Sequence, residues 1–156
     1  MVTCLWFDGT ARAAAEFYAA TFPDSAVGRV MAAPADTPSG PAGTELTVEF
    51  TLMGQPFLGL NGGPQVPFTE AVSFQVLTDS QAETDRLWAA ITGNGGQESA
   101  CGWCKDRFGL NWQITPHALI AAISDPDPAA ARRAMQAMMT MRRIDIAAIE
   151  AARAGG

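Results

Sequence analysis

Hydrophobic positions along the chain change period several times, and each change marks an element. Thr3 to Phe7 is a short apolar run rich in strand formers. From about Thr10, Ala14, Phe17, Tyr18 and Phe22 fall on one face at helical spacing, and Pro23-Asp24-Ser25 stops that helix. A strand is expected near Val27 to Met31. The stretch Ala33 to Pro41 holds three prolines and reads as loop, because proline cannot donate to a ladder. Leu46, Val48, Phe50 and Leu52 then alternate with Thr47, Glu49 and Thr51, turn at Met53-Gly54, and return through Gln55 to Asn61. This is the clearest hairpin in the chain. Asn61-Gly62-Gly63-Pro64 ends it and opens a linker to about Thr69.

The order then repeats. Val72, Phe74 and Val76 alternate in a strand, and Ser80 with Glu83 forms a capping box that opens a helix through Ile91. Glycines 93, 95 and 96 end it, and two strands follow, turning around Asp106 to Gly109 and finishing at Leu110 to Thr115. Asp8 to Phe17 and Asp79 to Trp88 share a spacing of nine, which supports an internal duplication. Beyond it, Asp127-Pro128 caps a helix expected to carry Met135, Met138, Met139 and Met141. Asp145 caps a last one, with Ile144 and Ile149 as a hydrophobic staple. The fold class is α+β: one domain over 1–156, with modules at about 3–61 and 70–116 and a helical tail at about 118–153.

Composition narrows the functional classes. The chain has 156 residues, 48% hydrophobic and 17% charged, with net charge -6. Its one basic cluster, Arg132, Arg133, Arg142 and Arg143, lies on the helical tail, so nucleic acid is excluded as a partner. No apolar stretch reaches the roughly 20 residues of a membrane span, and Met1-Val2-Thr3-Cys4 opens no signal peptide. A cytoplasmic location is expected, and three cysteines fit reduced thiols.

Four segments carry a family resemblance: Cys4-Leu5-Trp6-Phe7-Asp8-Gly9, Glu16-Phe17-Tyr18, Gly54 through Pro64, and Cys101-Gly102-Trp103 through Trp112-Gln113-Ile114. Together they resemble the PhnB-like branch of the glyoxalase/bleomycin-resistance (vicinal oxygen chelate) superfamily, also filed as 3-demethylubiquinone-9 3-methyltransferases. The resemblance implies two βαβββ modules, each curling a mixed sheet into a half-open cup with its helix on the convex side. It also implies a homodimer.

In metal-dependent members of that superfamily the ligands sit on the first and last strands of each module. Alignment on the resemblance puts Thr3, Asn61, Ala71 and Gln113 at those places. Strand parity then turns Thr3, Leu5, Phe7, Phe57, Gly59 and Asn61 into the cup of the first module, with Leu58 and Leu60 against the helix. In the second, Ala71, Ser73, Gln75, Asn111, Gln113 and Thr115 face inward. The ligand set holds no imidazole, carboxylate or thiolate, so a metal-free cup is expected. His117, the sole histidine, falls past the last strand and reads as a surface loop residue.

Other chemistry finds few parts. Cys101-Gly102-Trp103-Cys104 has C-x-x-C spacing, but it falls on an expected strand instead of opening a helix, and no second pair completes a zinc site. Gly62-Gly63 precedes Pro64 and sets up a turn, so no glycine-rich strand-to-helix turn exists for S-adenosylmethionine. No G-x-S-x-G occurs, and Glu45, Glu49 and Glu70 sit on outward or loop positions. No cofactor is expected and no catalytic residue is assigned.

The ligand-binding candidates are Thr3, Asn61, Ser73, Gln75, Cys101, Trp103 and Gln113. They suit a small uncharged or zwitterionic organic ligand. Three functional readings follow: metal-independent binding of such a molecule, an enzyme acting on one, and a dimeric interaction module with a filled cup.

Overall fold

The computed structural model describes residues 1–156 as two units, Met1–Phe68 and Thr69–Gly156. The first runs β1 (Thr3–Phe7), α1 (Ala11–Thr21), β2 (Ala26–Ala32), β3 (Glu45–Leu52) and β4 (Gln55–Asn61). Its sheet has the order β1-β4-β3-β2, with β1 parallel to β4 and the other pairs antiparallel. Met53 (φ 49°) and Gly54 (φ 75°) make the two-residue β3–β4 turn, and left-handed angles at both positions match the twist of a tight hairpin. Helix α1 buries Ala11, Ala14, Ala15, Tyr18 and Thr21. Tyr18 meets Phe50, with ring centres 6.0 Å apart, and Phe50 stacks on Phe57 at 5.3 Å. That aromatic column is the core of the unit, and each ring contributes about 2–3 kcal/mol by leaving water.

The second unit repeats the plan: β5 (Phe74–Thr78), α2 (Gln81–Thr92), β6 (Gln97–Glu98), β7 (Trp103–Lys105) and β8 (Asn111–Pro116), in sheet order β5-β8-β7-β6. Again the first strand runs parallel to the last. The two sheets are four-stranded and mixed, and the class is α+β. Strand β5 starts two residues later than the alternation from Val72 suggested, and Val72 itself is exposed. Ser80 caps α2 by accepting from the Glu83 amide at 3.2 Å. The Glu83 carboxylate accepts from the Asp79 amide, one residue before the usual capping-box partner. Asp106 is the polar anchor of this unit. Its buried carboxylate accepts from the Phe108 and Leu110 amides and from the Trp112 indole at 2.9–3.0 Å.

The tail belongs to the second unit and holds α3 (His117–Ile123), α4 (Pro128–Met138) and α5 (Ile146–Ala154). Asp127 and Asp145 cap α4 and α5 as expected, and Ile144 and Ile149 lie fully buried in one cluster with Leu119, Ala122 and Ala134. Two expectations change. His117 opens a helix instead of lying in a loop, and Met139 and Met141 lie outside α4. The Thr140 hydroxyl donates to the Ala137 carbonyl there, competing with the continuing helix.

Candidate functional site

Each sheet has one face against its helix and one open face. In the first unit, a Cβ on Gly59 would sit 2.9 Å from the Ala11 Cβ, which puts Gly59 against α1. Phe57 and Asn61 share its parity and are buried, as are Leu5 and Phe7 on the neighbouring strand. Asn61 caps the helix: its Oδ1 accepts from the Ala11 amide at 3.0 Å, and its Nδ2 donates to the Glu45 carbonyl at 3.0 Å. The parity expected for this unit is therefore inverted. Thr3 belongs to the helix-side row, exposed where β1 begins, and Leu58 and Leu60 stand on the open face with Cys4 and Trp6.

Trp6, on this open face, is seated on a glycine pair. Its indole lies on Gly62, where an added Cβ would come within 2.2 Å of the ring, and its Nε1 donates to the Gly63 carbonyl at 2.8 Å. The pair Gly62-Gly63 is thus a seat for an indole. A hollow of about 450 Å³ near Leu58 is bordered by Val2, Glu49, Thr51 and Pro56. Asn61 instead borders a polar cavity of about 270 Å³ with Asp8, Ser39, Thr44 and Glu45.

In the second unit, Val76, Trp112 and Ile114 are buried on the helix side, while Gln75, Gln113 and Thr115 point the other way. Gln113 Nε2 donates to the Ser73 hydroxyl at 2.8 Å, and Gln75 Nε2 donates to the Thr115 hydroxyl at 3.3 Å. Trp103 pairs with Gln113 across the antiparallel ladder, so its side chain joins the same face. Asn111 is held by the Thr69 carbonyl, and Lys105 pairs with Glu70 at 3.2 Å. The result is an uncharged polar row of Ser73, Gln75, Gln113 and Thr115 flanked by an indole, with the Lys105–Glu70 ion pair at its margin. A cleft of about 130 Å³ beside it is lined by Trp103, Asn111, Lys105 and Glu98, among others.

The C-x-x-C pair is not one unit. Cys101 sits in a turn at φ 58°, whereas Cys104 lies on β7, buried against the helix side. Burial, then the nearby Asp106 and Glu98 charges, pushes the Cys104 thiol up to about 12, which makes it a poor nucleophile. Ala71 lies ahead of β5 and offers no donor atom beyond its backbone. No three His, Cys, Asp or Glu side chains converge where a metal ion could be held. With Asn61 committed to α1, the set Thr3, Asn61, Ala71 and Gln113 does not fit a divalent ion. No helix is long and apolar enough to cross a membrane.

Comparison with known proteins agrees with this architecture. Among curated proteins none matches the chain. A solved structure from Bacillus cereus, provisionally described as a 3-demethylubiquinone-9 3-methyltransferase, PhnB protein, is 27% identical with a TM-score of 0.65, covering 74% of this chain and 98% of its own. A protein from Pseudomonas aeruginosa shares the fold at 22% identity and TM-score 0.54, over 74% of this chain and 96% of its own. The family profile for 3-demethylubiquinone-9 3-methyltransferase matches residues 1–115, and the chain belongs to that PhnB-like family.

Proposed function

We propose that this chain binds a small, uncharged organic molecule without a metal, against the open face of the second sheet. The observation that carries this reading is the row Ser73–Gln113–Gln75–Thr115 beside Trp103. Hydroxyls and primary amides there supply donors and acceptors without charge, and the indole supplies a flat apolar surface. The family's description names a demethylubiquinone, a planar six-membered quinone ring bearing oxygen substituents, and this surface suits a flat ring of that kind.

The methyl donor implied by the same description fares worse. The turn from β1 to α1 holds a single glycine, Gly9, and the first α1 amide is already taken by Asn61. Gly62-Gly63 seats Trp6 and leads to no helix. These residues offer no open glycine-rich strand-to-helix turn at which S-adenosylmethionine could be held.

Titration of the labelled protein with acetovanillone, a neutral aromatic ketone, tests the reading. A ring of that size binds at about millimolar Kd. The side-chain amide signals of Gln75 and Gln113 and the indole signal of Trp103 should move together. If they stay fixed while S-adenosylmethionine or zinc shifts them, the reading is wrong.

A further inference from the structure

The family match stops at residue 115, so the whole helical tail lies outside it. What the tail touches gives it a task. Strand β7 is three residues long and β6 only two, and they share two paired positions. So short a pair has few ladder bonds between its strands; β6 is the edge, and β7, whose first residue is Trp103, lies between it and β8.

The chain enters β7 through a tight turn in which the Trp103 amide donates back to the Ala100 carbonyl. Cys101 and Gly102 both take left-handed angles, which direct their amides away from the sheet. The tail receives both. The Cys101 amide donates to the Met141 carbonyl at 2.8 Å and the Gly102 amide to the Arg142 carbonyl at 2.7 Å. Ile144, fully buried, closes over Gly102, where an added Cβ would come within 3.2 Å of Ile144 Cγ1 and 2.9 Å of the Ile114 carbonyl.

Helix α2 fixes the other end of this segment. The Gln81 side chain donates to the Ile144 carbonyl at 3.0 Å and accepts from the Ile146 amide at 2.8 Å, bracketing the backbone from both sides. Arg143 pairs with Asp85 one turn along.

We propose that residues 141–146 form a strap, clamped by Gln81, that positions Trp103 on the ligand face by holding the Cys101–Gly102 turn. The strap itself stands on these contacts; its bearing on ligand binding rests on the reading of that face given above. Gln81 is a positioning residue that touches no ligand.

Hydrogen exchange and side-chain NMR on the full chain test it. Gln81→Leu removes both clamp bonds. Ile146→Pro removes one, at a first helical position where proline is tolerated. Both should speed exchange of the Cys101 and Gly102 amides about tenfold or more. The Trp103 indole signal should shift while that of Trp112, held by Asp106, stays. Acetovanillone should bind about fivefold more weakly.

Unchanged exchange at Cys101 and Gly102 in both variants overturns the strap. So does equal acceleration across β5, β8 and α2, which would mark Gln81 as a general stabiliser. A wild-type chain that ignores acetovanillone defeats the functional reading alone, because the exchange result is read without any ligand.

Discussion

In β4 the residues turned toward the helix are Phe57, Gly59 and Asn61; in β8 they are Trp112 and Ile114, which leaves Gln113 on the open side. The two sheets share an order and a parallel first–last pairing, yet their amides do different work. Asn61 is spent on structure, holding the first turn of α1 to the hairpin. Gln113 bonds only to neighbouring side chains on its own face. The second unit delegates its anchoring to Asp106, beneath the sheet. One topology can therefore dedicate one face to holding itself together and another to meeting a ligand.

Substitutions can break or sharpen that contrast, beginning with the largest effect. Asp106→Ala leaves two amides and an indole N–H without their acceptor and should cost about 3 kcal/mol, measured by chemical denaturation. Asn61→Ala removes one cap and one tie, for about 1–2 kcal/mol by the same measurement. Gln113→Ala should change stability by less than about 0.5 kcal/mol while abolishing the acetovanillone shifts. If it destabilises as much as Asn61→Ala, the division of labour collapses.

The smallest effect is chemical. Alkylation near pH 8 should modify exposed Cys4 and spare Cys104, as mass spectrometry of the digested protein would show. The Cys104 pKa is raised on folding, so its protonated form is the one the fold favours. Its contribution is intact below the ordinary thiol range and is lost as pH climbs toward about 12. Cys104→Ala should flatten that alkaline loss.

Much of the architecture was legible in alternation and caps. The hairpin at Met53-Gly54, the Ser80 cap and the Asp127 and Asp145 caps each rest on local chemistry, and local chemistry is what a sequence displays. The faces of the second sheet were legible too, because Leu110, Trp112 and Ile114 alternate cleanly with Asn111, Gln113 and Thr115. Strand β4 gives no such contrast. Phe57, Leu58 and Leu60 are apolar on both faces, and its one polar residue, Asn61, faces the helix it caps. The informative signal was Gly59, a small residue where α1 approaches closely. Short strand β7 was obscured for another reason: two left-handed residues break its period, and the partners that justify them lie some forty residues downstream in the tail.

The register of the first sheet also says where new chemistry could be written. Trp6, Leu60 and Thr47 stand side by side on the open face of three adjacent strands. Neighbouring strands lie about 4.8 Å apart, close enough for side chains along such a row to share one ion. An engineer wishing to install a chelate here would begin with imidazoles or carboxylates at 47 and 60. Replacing Asn61 instead would uncap a helix and deliver the new ligand to the wrong side of the sheet.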